Sequence, residues 1–388
     1  MDFKKMAVFC QQGSTFINPV IQYLKNQYRD KVQIMLQGNC GHQQFFEILN
    51  KSDLAWFEWL DKWCHPATTG DKYCKYIFRL HSYEAFGIEA QNRSLIQSIN
   101  WNQVDDLILV NESVKDVIKI QKDMIVSELM SQGKQVSTDF VPPNIDPMKI
   151  NVIPVGVDCK KFKVKKNKPI TKKIAWLGYI NFKKNFPLAL ETFKQLLKID
   201  PEYELHIAGA FQGDNRENIH FQYASKNLGV NQQGGKVFFY GWIEPDKLTD
   251  WLMDKQYIVS SSLYESFHNS VAEGMAAGVI PLIYDWLGSR YIYPKEYIWQ
   301  DIDEFNKLID NFSSKTEVQI DSIREELHNF IKERYDYQVV FPVIKNLVDK
   351  HLYQKELISH FTEGTDLPDV GINLEFQKKV LEHNGLLK

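Results

Sequence analysis

Val259-Ser260-Ser261-Ser262-Leu263-Tyr264-Glu265-Ser266-Phe267-His268-Asn269-Ser270-Val271-Ala272-Glu273-Gly274-Met275-Ala276-Ala277-Gly278-Val279-Ile280-Pro281 is the stretch whose reading decides the fold. An apolar strand ends in serines, a polar loop follows, and a short helix of small residues leads to a second apolar strand. Strand and helix alternating in this way is the signature of α/β architecture. In open parallel sheets, ligands bind beyond the carboxyl ends of the strands. The loop after Ser260 is therefore where chemistry is expected.

Glu265 and Glu273 stand eight residues apart in this stretch. With Ser270 as helix cap, Glu265 falls in the loop and Glu273 in the first helical turn. Both carboxylates can then border one pocket at a helix N-terminus. Exposed amides there bind phosphate oxygens, and carboxylates accept hydrogen bonds from sugar hydroxyls. Ser270-Val271-Ala272-Glu273 is also a capping box, in which the glutamate serves only the helix. The spacing leaves both readings open.

Upstream, Leu177-Gly178-Tyr179-Ile180-Asn181-Phe182-Lys183-Lys184-Asn185 joins a strand read at Lys173–Leu177 to a helix read at Phe186–Ile199. Gly178 permits a tight turn. Lys183 or Lys184, just before a helix N-terminus, adds a full charge to the partial charge of the dipole, which suits a diphosphate. An exposed lysine pair is the plainer alternative. Further strands are read at Tyr203–Ala208, Lys236–Tyr240, Tyr257–Ser260 and Val279–Ile283, with helices at Pro245–Met253 and Ser270–Ala277. From Asp301 onward the pattern is mostly helical.

The first half alternates in the same way. Strands are read at Met6–Cys10, Val32–Gln37, Leu54–Trp59, Tyr76–Leu80, Leu107–Val110 and Val152–Val155, and helices at Pro19–Gln27, His42–Leu49, Glu84–Ile99 and Ser113–Met130. Trp56, Trp59 and Trp63 are expected to pack a core or entry face. Between the halves, Lys160, Lys161, Lys163, Lys165, Lys166, Lys168, Lys172 and Lys173 read as an exposed linker, too charged for a core. The expected organisation is an α/β domain over 1–158, a second over 159–340, and helices over 341–388 that pack back on the first.

The 388 residues carry a net charge of −3 and are 44% hydrophobic, so full cores are available and nothing favours nucleic acid. Five cysteines, odd in number and without a CxxC pair, argue for a reducing compartment and against a zinc ribbon. No apolar stretch reaches membrane-spanning length. The expected setting is cytoplasmic, with peripheral membrane contact through the lysine run as the sharper alternative.

These residues resemble the retaining family-4 glycosyltransferases of the GT-B fold. Ser262, Glu265, Phe267, Glu273, Met275, Ala276, Gly278 and Pro281 fall in register with that family's Glu-x7-Glu signature. Val152-Ile153-Pro154-Val155-Gly156-Val157-Asp158 is similar to its motif between domains, and Gly178 to Asn185 to its phosphate loop. Arg79-Leu80-His81-Ser82-Tyr83-Glu84 is similar to its strand-end histidine segment, and Gly13-Ser14-Thr15 to its glycine-rich loop.

The resemblance implies two Rossmann-like α/β domains with parallel sheets facing across a cleft. It implies a nucleotide-diphosphate sugar as co-substrate, no cofactor, no metal ion and retention at the anomeric carbon. The acceptor is a glycan, a lipid-linked sugar or a protein, as in synthesis of a surface polysaccharide or glycoconjugate. Carried over, Glu265 bonds donor-sugar hydroxyls and Glu273 the ribose. Lys184, with Lys183 beside it, holds the diphosphate, and Gly13 and Gly178 lie against the donor. Backbone amides at Phe267, His268, Asn269 and Ser270 contact sugar or phosphate. His81 bonds the sugar or stabilises developing charge. Tyr179 stands at the family's arginine, leaving a phosphate charge to Arg79, Lys183 or Arg290. Ser266 and His268 replace two glycines. A sugar-nucleotide epimerase or phosphorylase of the same fold, or a non-catalytic binding subunit, are the rival readings.

Overall fold

In the computed structural model, which describes residues 3–11, 15–86, 95–165, 168–212 and 215–387, the chain divides into two compact units. The first comprises Met1–Pro154 and Val340–Lys388, the second Val155–Val339.

In the first unit, β1 (Lys4–Phe9), β2 (Val32–Gln37), β3 (Leu54–Glu58), β4 (Lys75–Leu80), β5 (Asp106–Leu109) and β6 (Ile150–Val152) form one sheet in the order β2-β1-β3-β4-β5-β6. Every pairing is parallel. Successive residues along β3 and β5 are all buried, which requires cover on both faces and explains the apolar runs Leu54-Ala55-Trp56-Phe57 and Leu107-Ile108-Leu109 within them. The connecting helices are α1 (Asn18–Tyr28), α2 (His42–Asn50), α3 (Cys64–Ala67), α4 (Ser82–Phe86) and α5 (Ser113–Ser131). Pro19 sits in the first turn of α1, where its missing N–H costs nothing.

The second unit repeats the scheme. Its strands are β7 (Lys173–Leu177), β8 (Glu204–Ala208), β9 (Val237–Phe239), β10 (Tyr257–Ser260), β11 (Ile280–Tyr284) and β12 (Ile298–Trp299), all parallel in the order β12-β11-β10-β7-β8-β9. The helices are α6 (Phe186–Ile199), α7 (Asn215–Leu228), α8 (Leu248–Leu252), α9 (Asn269–Ala276), α10 (Ser289–Ile292), α11 (Ile302–Ser313) and α12 (Glu317–Tyr335). Strand order reverses between β7 and β10 here, and between β1 and β3 in the first unit. Such switch points open a crevice at the carboxyl ends of the two strands.

Three helices follow: α13 (Tyr337–Leu352), α14 (Gln354–Glu363) and α15 (Leu374–His383). The segment from Val340 is bound into the first unit by buried charge. Asp106, fully buried at the head of β5, accepts hydrogen bonds from Lys350 (2.8 Å), Asn151 (2.9 Å) and His351. Tyr28 Oη and Lys345 Nζ each donate to Asp349 at 2.7 Å.

Several expectations need correction. The last strand of the first sheet is Ile150–Val152 instead of Val152–Val155, β3 stops at Glu58, and α8 is shorter than Pro245–Met253. The helix expected over Glu84–Ile99 begins at Ser82, and part of that range lies outside the described residues. Helix α7 and strand β12 were not anticipated. The lysine run is not uniformly exposed: Lys168 is buried, with Nζ donating to the Lys255 carbonyl. Burial, with the Arg324 charge adding to it, pushes that amine down to about 7. Among the described residues no helix is long and apolar enough to cross a membrane.

Candidate active site

The switch point of the second unit is built from the β7–α6 and β10–α9 loops, which hydrogen-bond to each other. Leu263 N–H donates to the Lys183 carbonyl (2.9 Å) and Ser261 Oγ to the Lys184 carbonyl (2.8 Å). Asn181 Oδ1 accepts the Lys184 N–H at 3.1 Å, closing a short 3-10 turn before α6. Gly178 lets the lysine side chain lie across the strand end, since a Cβ there would come within 3.1 Å of Lys184 Cε. Gly209, at the end of β8, is more demanding: a Cβ there would meet the Gly178 carbonyl oxygen at 1.7 Å.

These loops bring three sequence-selected side chains together. Glu265 is buried, with Oε1 2.6 Å from Lys184 Nζ and Oε2 2.9 Å from Lys183 Nζ. Ser262 Oγ donates to Glu265 Oε1 at 2.9 Å. Burial works to raise the Glu265 pKa, but the charges of Lys183 and Lys184 hold it far below the ordinary carboxylate range. Burial and then the neighbouring Lys183 charge lower the Lys184 amine, while Glu265 opposes them.

His268 joins the same cluster, its Nε2 3.1 Å from Ser262 Oγ and 3.3 Å from Lys184 Nζ. Burial and then Lys184 push it down to about 3, so the ring is neutral. It occupies the left-handed region (φ 61°) that a glycine would take without strain, immediately before α9. Asn269 and Ser270 open that helix and are half-buried. The Phe267 ring is core, edge-on to Tyr335 at 4.9 Å, so only its backbone is placed to meet a ligand.

The capping box does not form. Helix α9 starts at Asn269 with no side-chain cap, Ser270 lies inside its first turn, and Glu273 falls in the second. Glu273 is half-buried, and exclusion of water pushes its carboxyl up to about 7, with Lys161 opposing weakly.

Of the three stand-ins for the arginine, only Lys183 sits in the cluster. Arg290 is committed to Asp285 (2.7 Å), and Arg79 is buried in the first sheet. Tyr179 is exposed and stacks on Trp242 with centroids 5.6 Å apart.

His81 belongs to the other unit. It directly follows β4, buried, with Nε2 3.0 Å from Glu58 Oε1 and its ring stacked on Trp59 at 3.9 Å. Gly13 lies outside the described residues. Among the described residues no group of three or more His, Cys, Asp or Glu is placed to hold a metal ion.

Two contributors escaped the sequence. Tyr293 Oη donates to the Phe267 (2.6 Å) and His268 (3.1 Å) carbonyls, pinning the loop from just past the end of α10. Glu58 carries a readable signal, a lone carboxylate ending the apolar run Leu54-Ala55-Trp56-Phe57 at a strand's carboxyl end.

Residues 158–330 match the family model of glycosyl transferases group 1. Over 250 residues the chain is 20% identical to the tRNA-queuosine alpha-mannosyltransferase of Drosophila melanogaster, covering 63% of this chain and 62% of that protein. Over 147 residues it is 26% identical to the GDP-mannose:cellobiosyl-diphosphopolyprenol alpha-mannosyltransferase of Xanthomonas oryzae, covering 38% of this chain and 37% of that protein. The chain thus spans less than two thirds of either relative's length. The solved structure of Anabaena HepE in complex with UDP-glucose matches with a TM-score of 0.68 at 11% identity, over 89% of this chain and 99% of that one. That likeness concerns the fold. The two parallel six-stranded sheets are the Rossmann-like units of a GT-B chain, and the segment holding Lys183, Lys184 and Glu265 matches the glycosyl transferases of group 1.

Proposed function

We propose that the chain is a glycosyltransferase moving a hexosyl group from a nucleoside-diphosphate sugar to an acceptor hydroxyl, with retention at the anomeric carbon. The observation that carries this reading is the meeting of Lys183, Lys184 and Glu265 at the β7/β10 switch point, beside the N-terminus of α9. The names of the two curated relatives, both alpha-mannosyltransferases, support a sugar as the group transferred.

Glycosyl transfer builds positive charge on the anomeric carbon and negative charge on the departing diphosphate. The two ammonium groups and the helix-terminal amides stabilise the second charge, which grows as the bond breaks. Glu265 takes the hydroxyls of the donor sugar and Glu273 those of the ribose. The acceptor hydroxyl attacks from the face the diphosphate leaves, with a leaving phosphate oxygen taking its proton. The acceptor is a glycan or glycoconjugate, such as a surface polysaccharide.

Thermal-shift titration against UDP-, GDP- and ADP-sugars, followed by NMR of the product anomer, tests this. An epimerised donor, phosphorolysis or an inverted product would replace the reading with a rival. Nucleotide binding without turnover would favour a binding subunit.

A further inference from the structure

Glu265 is held by two cations that the proposed donor also needs. Its Oε1 lies 2.6 Å from Lys184 Nζ and accepts from Ser262 Oγ at 2.9 Å, and its Oε2 lies 2.9 Å from Lys183 Nζ. A diphosphate at the β7/β10 switch point draws both ammonium groups toward its own oxygens. Glu265 is only 4% exposed, so it would be left as a buried carboxylate with one hydroxyl for company. Removing the partner of a buried charge is strongly unfavourable unless another group takes its place.

A third basic side chain is already in contact. His268 Nε2 lies 3.5 Å from Glu265 Oε1, 3.1 Å from Ser262 Oγ and 3.3 Å from Lys184 Nζ. The chain keeps this buried ring in place at φ 61°, a left-handed conformation that glycine takes without strain. Burial first, and the Lys184 charge second, hold the ring neutral in the unliganded chain, with Lys183 adding to them. Glu265 and the backbone of His268 itself pull toward the charged form. Anionic oxygens beside Lys183 and Lys184 offset the two charges that oppose the proton and leave Glu265 to favour it.

We propose that His268 is the positioning residue of Glu265: when a nucleoside diphosphate engages the two lysines, the imidazole takes up one proton from solvent and its Nε2–H replaces them at Glu265 Oε1. The carboxylate thus stays ionised and in place for the hydroxyls of the donor sugar. The inference rests on the reading of this cluster as the donor site. The groups that face the ring are Lys183 and Lys184 from the turn before α6, Glu265 from the loop after β10, and Tyr293 from just past α10. Tyr293 Oη donates to the His268 carbonyl at 3.1 Å, and burial keeps the phenol protonated. Glu273, in the second turn of α9, titrates near 7 and is present in every chain compared below.

Two measurements test the proposal, with UDP and GDP as probes. The first is calorimetry at pH 5.5 in two buffers of different ionisation enthalpy, which counts the protons exchanged on binding. The unmodified chain should take up about one proton more than His268→Asn. Asparagine tolerates the left-handed backbone and does not titrate. His268→Gly, free of strain at that position, should behave like the asparagine variant. The second, which needs no turnover, is 15N NMR of histidine-labelled protein, with the His268 signals identified by their absence from unliganded His268→Asn. The ring should be neutral in the free chain and an imidazolium in the nucleotide complex. Equal proton uptake by the unmodified chain and both variants, or a neutral ring in the complex, overturns the proposal. A purely structural His268 would give that result, with changes in Tm alone. Failure of the unmodified chain to bind either nucleotide overturns instead the donor-site reading beneath it.

Discussion

Lys184 Nζ lies 2.6 Å from Glu265 Oε1 in a site where both side chains are largely withdrawn from water. Buried ion pairs add little net stability once desolvation is counted. This one ties up an ammonium group suited to a diphosphate, and Lys183 holds the other carboxylate oxygen at 2.9 Å. Glutamate and anionic ligand therefore compete for the same two cations.

That competition has opposite signatures in the two partners. Lys184→Met should weaken nucleoside-diphosphate binding at least tenfold, measured by calorimetry, and leave nucleoside binding unchanged. Glu265→Gln should bind inorganic pyrophosphate as tightly as the unmodified chain or more so, while turnover falls about a hundredfold. Equal loss of pyrophosphate binding in both variants would show that the lysines need Glu265 to hold their place.

Glu273 provides the second test. Since the capping box is absent, Glu273→Gln should change Tm little. Nucleoside-diphosphate affinity in the unmodified chain should rise with pH through about 7, as the carboxyl ionises. The glutamine variant should bind more weakly, with a flat profile. A large Tm loss at unchanged affinity would return Glu273 to a structural role.

Glu84 bears on stability. An unperturbed glutamate titrates near 4.5, and the buried one near 8. The folded state thus binds the proton more tightly, and its stability declines as pH rises from about 4.5 to 8. The loss is of the order of a few kcal/mol. Glu84→Gln keeps the acceptor for Leu60 N–H and removes this loss. Its Tm should approach the unmodified value at pH 5 and exceed it by several degrees at pH 8.5 in a fluorimetric scan.

Tyr293→Phe removes one hydroxyl and both of its bonds to the loop carbonyls. The expected cost is about 1–2 kcal/mol in denaturant unfolding, with weaker donor binding because residues 267–268 lose their tether. Unchanged donor KM would limit Tyr293 to stability.

Legibility in the sequence followed the range of the interactions. The strands around Ser260 and Leu177 could be read because a buried parallel strand needs a continuous apolar run. Lys183, Lys184 and Glu265 could be selected because loops at strand ends collect chemistry. The start of α9 was misread because Ser270 satisfies the local cap rule, whereas the real start is set by the left-handed His268 and the Tyr293 hydroxyl reaching its carbonyl from just past α10. Lys168 was misread for a similar reason: its partner is a carbonyl 87 residues away. Glu58 depends on Arg79 and His81 across a strand pairing, which no local window contains.

Asp106 has consequences for biosynthesis. This carboxylate enters the first sheet early, yet the lysine that neutralises it lies 244 residues further along the chain. While the ribosome makes the intervening unit, the nascent N-terminal sheet holds a charge at the head of β5 with no ammonium group to meet it. Its last folding step therefore waits on the arrival of α13, long after its own strands have been translated.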